Sequence, residues 1–204
     1  MAGHWCTGSD AMALTKTDAL IIVDVQNDFC PGGALAVPNG DRVATKLTDA
    51  ARVFHSQGAQ LFATQDWHPP HHSSFREQGG PWPTHCVQGS RGAELHPNLH
   101  LAAGTIIIKK GSNPKVDAYS GFLDSELEEQ LRQAGVTRVF VGGLATDYCV
   151  LNTVLDALRK GFETYLLTDA ISAVDVQSGD GVRAVQRMLE GGAKPIRVSE
   201  VMMA

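Results

Sequence analysis

No apolar run in this chain approaches the roughly 20 residues that a membrane-spanning helix needs, so nothing in it reads as a membrane anchor. Basic residues are in the minority: 17 Lys and Arg face 22 Asp and Glu, for a formal net charge of −5 with no basic cluster. Nucleic acid and membranes are disfavoured as partners on that ground, and a small uncharged substrate is favoured. The four cysteines, at 6, 30, 86 and 149, lack the close even spacing of a disulfide framework and suit a reducing compartment, the cytoplasm. No G-x-G-x-x-G follows the first apolar run and no G-x-x-x-x-G-K-[ST] occurs, which removes the main support for dinucleotide or nucleoside-triphosphate binding. There is also no linker, internal repeat or low-complexity tract. Residues 1–18 are small and polar, with one lysine and no continuous apolar stretch, and read as a flexible extension rather than a secretory signal. The remaining residues, 19–204, are expected to form one domain.

What is present alternates between two periods. Ala19–Asp24 is a nearly continuous apolar run ending in a carboxylate, the pattern of a strand buried on both faces. Gln60–Asp66, Gly104–Gly111, Arg138–Val141, Glu163–Asp169 and Lys194–Ser199 are further strand candidates. Between them, helices are predicted over Asp41 to Ser56, Leu123 to Ala134, Val150 to Lys160 and Gly181 to Leu189. Strands alternating with helices through short connections imply a three-layer α/β/α domain around a mainly parallel six-stranded sheet. In such sheets ligands bind at the carboxyl ends of the strands, where Asp24 would lie.

Three features there suggest chemistry. Cys149 falls where the fourth strand hands over to a helix, and unpaired N–H groups at a helix N-terminus favour a thiolate and can hold an oxyanion. The plain alternative is a buried core cysteine. Six of the eight histidines lie between His68 and His100, and His68, His71, His72 and His85 fall within 18 residues beside Asp66. Imidazoles clustered near a carboxylate suit a borderline divalent ion such as zinc, iron or manganese, with Asp66 and His68 on one face of an extended segment. The alternative is a solvated histidine-rich loop. Spacing does not choose between His71 and His72, while His96 and His100 read as surface or structural. Finally, the third strand ends in Lys109-Lys110, of which only one can point into a site.

Several stretches read as family motifs in family order: IIVDVQNDFCPGGALAVP at 21–38, QDWHP at 65–69, WPTHCVQGS at 82–90, GAELHP at 92–97, KG at 110–111, D-x-YSGF at 117–122 and GLATDYCV at 143–150. Together they resemble the nicotinamidases, a branch of the isochorismatase-like cysteine hydrolases, from about Ala19 to the C-terminus. The resemblance implies a triad of Asp24 as general base, Lys110 and Cys149 as nucleophile, with Lys109 a bystander. It implies Asp66, His68, His72 and His85 as ligands of one divalent metal ion. It also implies an oxyanion hole from the N–H groups of Ala145 and Cys149, with a cis peptide between Leu144 and Ala145. Phe29, Trp82, Leu144 and Tyr148 would line the substrate pocket. The implied reaction is hydrolysis of nicotinamide to nicotinic acid and ammonia through a thioester, in NAD salvage, with pyrazinamide also accepted. A homo-oligomer is compatible with the sequence but not specified by it. The rival readings are a relative acting on carbamoyl or ureido compounds, which would lack the metal ligands, and a non-catalytic binding protein, which would not be expected to keep Asp24 and Cys149.

Overall fold

The structure, a computed structural model, describes residues 12–202. One sheet is built from β1 (Asp18–Val23), β2 (Gln60–Asp66), β3 (Ile106–Lys110), β4 (Arg138–Leu144), β5 (Glu163–Ser172) and β6 (Lys194–Ile196). Their order is β3-β2-β1-β4-β5-β6, with every neighbouring pair parallel. The helices are α1 (Gly40–Ser56), α2 (Leu127–Gln133), α3 (Leu151–Arg159), α4 (Asp180–Glu190) and α5 (Val198–Met202). No helix among the described residues is long and apolar enough to cross a membrane.

Alternation along the central strands sorts their side chains into two cores. Leu20, Ile22 and Phe140 pack on one face with Leu47 and Phe54 of α1 and Val198 of α5. Ala19, Ile21, Val23, Val139 and Val141 pack on the other with α2, α3 and α4 through Leu127, Val154 and Met188. Every residue of β1 is buried, which explains why this strand reads as a continuous apolar run. The chain builds outward from β1 through β2 to β3, then returns to place β4 on the other side of β1. That reversal opens a crevice beyond the carboxyl ends of β1 and β4, and it is there that Asp24 and the 144–149 segment meet.

Several expected boundaries move. Residues 1–11 of the expected extension lie outside the described residues, but Leu14 is buried and Asp18 opens β1 with its carboxylate 2.6 Å from Arg138 Nε. The folded chain therefore begins before residue 19. The second helix starts at Leu127 rather than Leu123, after a turn in which Asp124 adopts a left-handed backbone (φ 51°). The last strand stops at Ile196, because the Asp169 carboxylate accepts the Val198 N–H at 2.9 Å and starts α5 there. Cys149 sits within a π-helical turn, Thr146–Val150, one turn ahead of α3.

Close approach of β1 and β4 beside the crevice depends on Gly143. It pairs with Val23 at φ 133°, and a Cβ there would lie 2.1 Å from the Val23 carbonyl oxygen. Gly143→Ala is expected to destabilise the fold by about 3 kcal/mol. Urea unfolding checks this, and an unchanged midpoint would mean that the two strands can separate without cost.

Candidate active site

Asp24 follows the last residue of β1 with a left-handed backbone (φ 47°) and a fully buried side chain. Its N–H donates to Thr64 Oγ1 (3.2 Å), and the Thr64 hydroxyl donates back to Asp24 Oδ1 (2.6 Å). Oδ2 is left without a hydrogen-bond partner, although Lys110 Nζ lies 2.9 Å away. Lys110 ends β3 in register with Asp66 on β2, so the two side chains leave the same face of the sheet. The Lys110 ammonium, fully buried, also pairs with Asp66 Oδ1, donates to the Ala118 carbonyl oxygen (2.9 Å) and reaches Cys149 Sγ (3.6 Å). Lys109 points the other way, its Nζ 3.8 Å from the centre of the Trp67 ring.

Protonation follows from these contacts. Burial alone would strip the proton from Lys110, but the Asp24 and Asp66 carboxylates override it and hold the ammonium charged. Burial pushes the Asp24 carboxyl up, aided by Asp66 and opposed by Lys110 and Thr64. Burial likewise pushes the Cys149 thiol up; Lys110 pulls it down, and the two carboxylates work against Lys110. The turn ahead of α3 does not by itself make a thiolate. The resting proton stays on sulfur, beside the Asp24 carboxylate.

A second cluster adjoins the first. Asp66, His68 and His85 each offer a ligand atom, all within 4.8 Å of one another. His68 Nδ1 lies 3.0 Å from the Gly111 carbonyl oxygen and His85 Nδ1 lies 2.7 Å from that of Pro83. A carbonyl oxygen can only accept, so each ring nitrogen so engaged carries a proton and Nε2 is the atom left to face a ligand. That of His68 lies 3.5 Å from Asp66 Oδ2, and against the downward push of burial this carboxylate pushes the His68 imidazole up. Gly111, at φ 68°, lets the His68 ring come this close, since a Cβ would lie 2.6 Å from Cε1. Against the upward push of burial, Lys110 and His68 hold the Asp66 carboxyl below the usual range, and burial holds His85 down. One carboxylate and two imidazoles whose ligand atoms converge fit a divalent ion with open positions.

His72, the expected fourth ligand, is not part of this group. Its ring packs 4.2 Å from that of His68, but Nδ1 faces Ser74 (2.7 Å to Oγ) and Nε2 faces the Val116 carbonyl oxygen (3.1 Å). Leu144 also departs from expectation. It is fully buried in the core beside Gly40, off the cavity wall. The Leu144–Ala145 peptide is cis. Cys149 and the Asp66, His68 and His85 group open onto one cavity, lined also by Phe29, Leu35, Trp82, Asp117, Tyr119, Tyr148 and Val174. Trp82 donates its indole N–H to the Tyr119 hydroxyl (2.8 Å) and stands edge-on to Tyr148 (5.0 Å).

An isochorismatase-domain model matches residues 18–200. The chain belongs to the isochorismatase family. Within that family it is closely related to nicotinamidases and pyrazinamidases. It is 44% identical over 199 residues to the nicotinamidase of Escherichia coli, covering 86% of this chain and 92% of that one. It is 42% identical over 172 residues to the nicotinamidase/pyrazinamidase of Mycobacterium tuberculosis, covering 78% and 89%. The crystal structure of Pyrococcus horikoshii pyrazinamidase in complex with zinc superposes with a TM-score of 0.85 at 48% identity, over 89% of this chain and 99% of that one.

In this isochorismatase-family hydrolase, three contributors escaped the sequence reading. Thr64 fixes the Asp24 carboxylate. Gln26, fully buried, accepts the Asp66 N–H and donates to the Asp66 carbonyl, both at 2.8 Å, in place of a strand neighbour. Tyr119 completes the aromatic wall. The available signal was periodicity: Thr64 lies two residues before Asp66 and so on the same face of a buried strand, where a polar residue needs a partner.

Lys110→Met would leave two buried carboxylates without their cation. It is expected to lower stability by about 3–5 kcal/mol in urea unfolding. Iodoacetamide should also modify Cys149 about tenfold more slowly at pH 7, as read from the mass of the Cys149 peptide. Unchanged alkylation would mean that Lys110 does not tune the thiol.

Proposed function

We propose that this hydrolase converts nicotinamide to nicotinic acid and ammonia, and pyrazinamide likewise, as a step of NAD salvage in the cytoplasm. The observation that supports it most is the shared cavity, in which Cys149 faces aromatic walls alongside the Asp66, His68 and His85 donors. A flat heteroaromatic ring suits those walls, and a ring nitrogen suits the donor cluster's ion. When bound, a divalent zinc, iron or manganese ion held by Asp66, His68 and His85 supplies a Lewis-acidic anchor for that nitrogen.

The residues of the chain account for the rest. Asp24 Oδ2 takes the thiol proton as sulfur attacks the carboxamide carbon. The oxyanion is received by the N–H groups of Ala145 and Cys149, while Lys110 balances the charge developing nearby. As the tetrahedral species collapses, the C–N bond breaks and Asp24 returns the proton to nitrogen, so that ammonia leaves and a thioester remains. Water then adds to the thioester with Asp24 again accepting a proton. The C–S bond breaks, nicotinic acid departs and the thiol is restored. Phe29, Trp82, Tyr119 and Tyr148 hold the ring flat, and Thr64 fixes the orientation of the Asp24 carboxylate through Oδ1.

Ammonia release from nicotinamide tests this reading. Metal-loaded protein should be active, a chelator should abolish activity and added zinc, iron or manganese should restore it. Cys149→Ala should lower kcat by at least about a thousandfold. If intact, metal-loaded protein released no ammonia, nicotinamide would be ruled out and carbamoyl or ureido compounds would be tried next. Protonation of Asp24 removes the base, so kcat/KM should fall about tenfold per pH unit on the acid side. Because the Asp24 carboxyl is pushed up, that limb should lie above the roughly 3.9 of an ordinary aspartate. A limb at or below that value would exclude Asp24 as the base.

A further inference from the structure

His72 is fully buried and its ring hydrogen bonds leave it no lone pair. The Ser74 N–H can only donate, and it points at His72 Nδ1 (3.2 Å), so that nitrogen carries no proton. The ring proton is then on Nε2, where the only partner, the Val116 carbonyl oxygen, can only accept. Both nitrogens are thus engaged in one consistent tautomer, unlike His68 and His85, whose Nε2 atoms face Asp66 and the cavity.

What His72 holds is the segment 112–121, which leaves β3 after Lys110 and crosses the site without regular secondary structure. It carries the Ala118 carbonyl that accepts from Lys110 and the Tyr119 side chain in the cavity wall. Its other ties are the Ser73 N–H to the Pro114 carbonyl (2.9 Å), Trp82 to Tyr119, and the Gly121 N–H to Thr153 Oγ1 (2.9 Å). Between Pro114 and Ala118 the contact from His72 is the tie to the histidine loop.

We propose that His72 is a positioning residue rather than a metal ligand: its Nε2–H straps residues 113–121 to the loop bearing His68, and so sets the cavity wall formed by Ala118 and Tyr119. The kinetic consequence rests on the nicotinamide reading above. Its consequences for metal binding and for hydrogen exchange do not.

The experiment uses zinc-loaded full-length protein with His72→Phe, which keeps a ring and deletes both nitrogens, and His72→Gln, which restores a donor near Nε2. His85→Ala serves as the ligand-loss reference. His72→Phe should bind one equivalent of zinc within about threefold of the unsubstituted affinity in chelator competition, whereas His85→Ala should lose at least about a hundredfold. Amides in 113–121 should exchange about tenfold faster in His72→Phe and return toward the original rate in His72→Gln. With nicotinamide, KM should rise about tenfold while kcat stays within about threefold, a loss of binding with the chemistry intact. Loss of zinc in His72→Phe to the extent seen for His85→Ala would overturn the proposal, as would unchanged exchange across 113–121. Should His72→Phe not fold, His72→Gln decides alone: zinc affinity and strap protection both retained supports the positioning role, and loss of either overturns it.

Discussion

The Lys110 ammonium is the contact on which the site depends. It is wholly removed from water, and its charge is tolerated because Asp24, Asp66, the Ala118 carbonyl and the Cys149 sulfur converge on it. An isolated buried charge would cost several kcal/mol, and each of these groups would in turn be costly without the ammonium. Three strands and the strap after β3 therefore meet at one atom. The parallel pairing of Asp66 with Lys110 is what delivers it, since a slip of one residue would turn Lys109 inward and Lys110 out.

Asp66 links the two halves of the site. One oxygen faces Lys110 and through it Cys149, while the other lies 3.5 Å from His68 Nε2. The backbone of Asp66 is held by Gln26, which extends from just beyond β1 and mimics the ladder that the strand no longer supplies. A single carboxylate thus couples the thiol's electrostatics to the histidine cluster, and the amide that fixes it comes from the segment that also supplies Asp24. Rigidity here follows from satisfied buried polar groups rather than from apolar packing alone.

Around this polar centre the walls are aromatic and carried by loops. Phe29, Trp82 and Tyr119 come from three separate connections, and Tyr148 from the π-helical turn ahead of α3. Loops can line a pocket only if something holds them, and in this protein hydrogen bonds do so, as from the Trp82 indole N–H to the Tyr119 hydroxyl and from the Cys86 N–H to Asp28 Oδ2 (2.7 Å).

Much of this was legible beforehand. Periodicity alone determined the order of strands and helices, because a buried parallel strand must be apolar throughout and an amphipathic helix must repeat near 3.6. The family motifs identified Asp24, Lys110 and Cys149, which the fold brings together, and Asp66, His68 and His85, which it clusters. Only the tertiary structure could decide what His72 and Leu144 do. A histidine's role depends on which partners claim its two nitrogens, and Ser74 and Val116 claim both, the second from 44 residues away. Leu144 precedes the turn, but the packing of Gly40 against it draws it into the core. Thr64 and Gln26 were hidden for the same reason, since each acts through a partner 40 residues distant. Local pattern records which face a side chain takes, whereas contacts across the fold determine what it meets there.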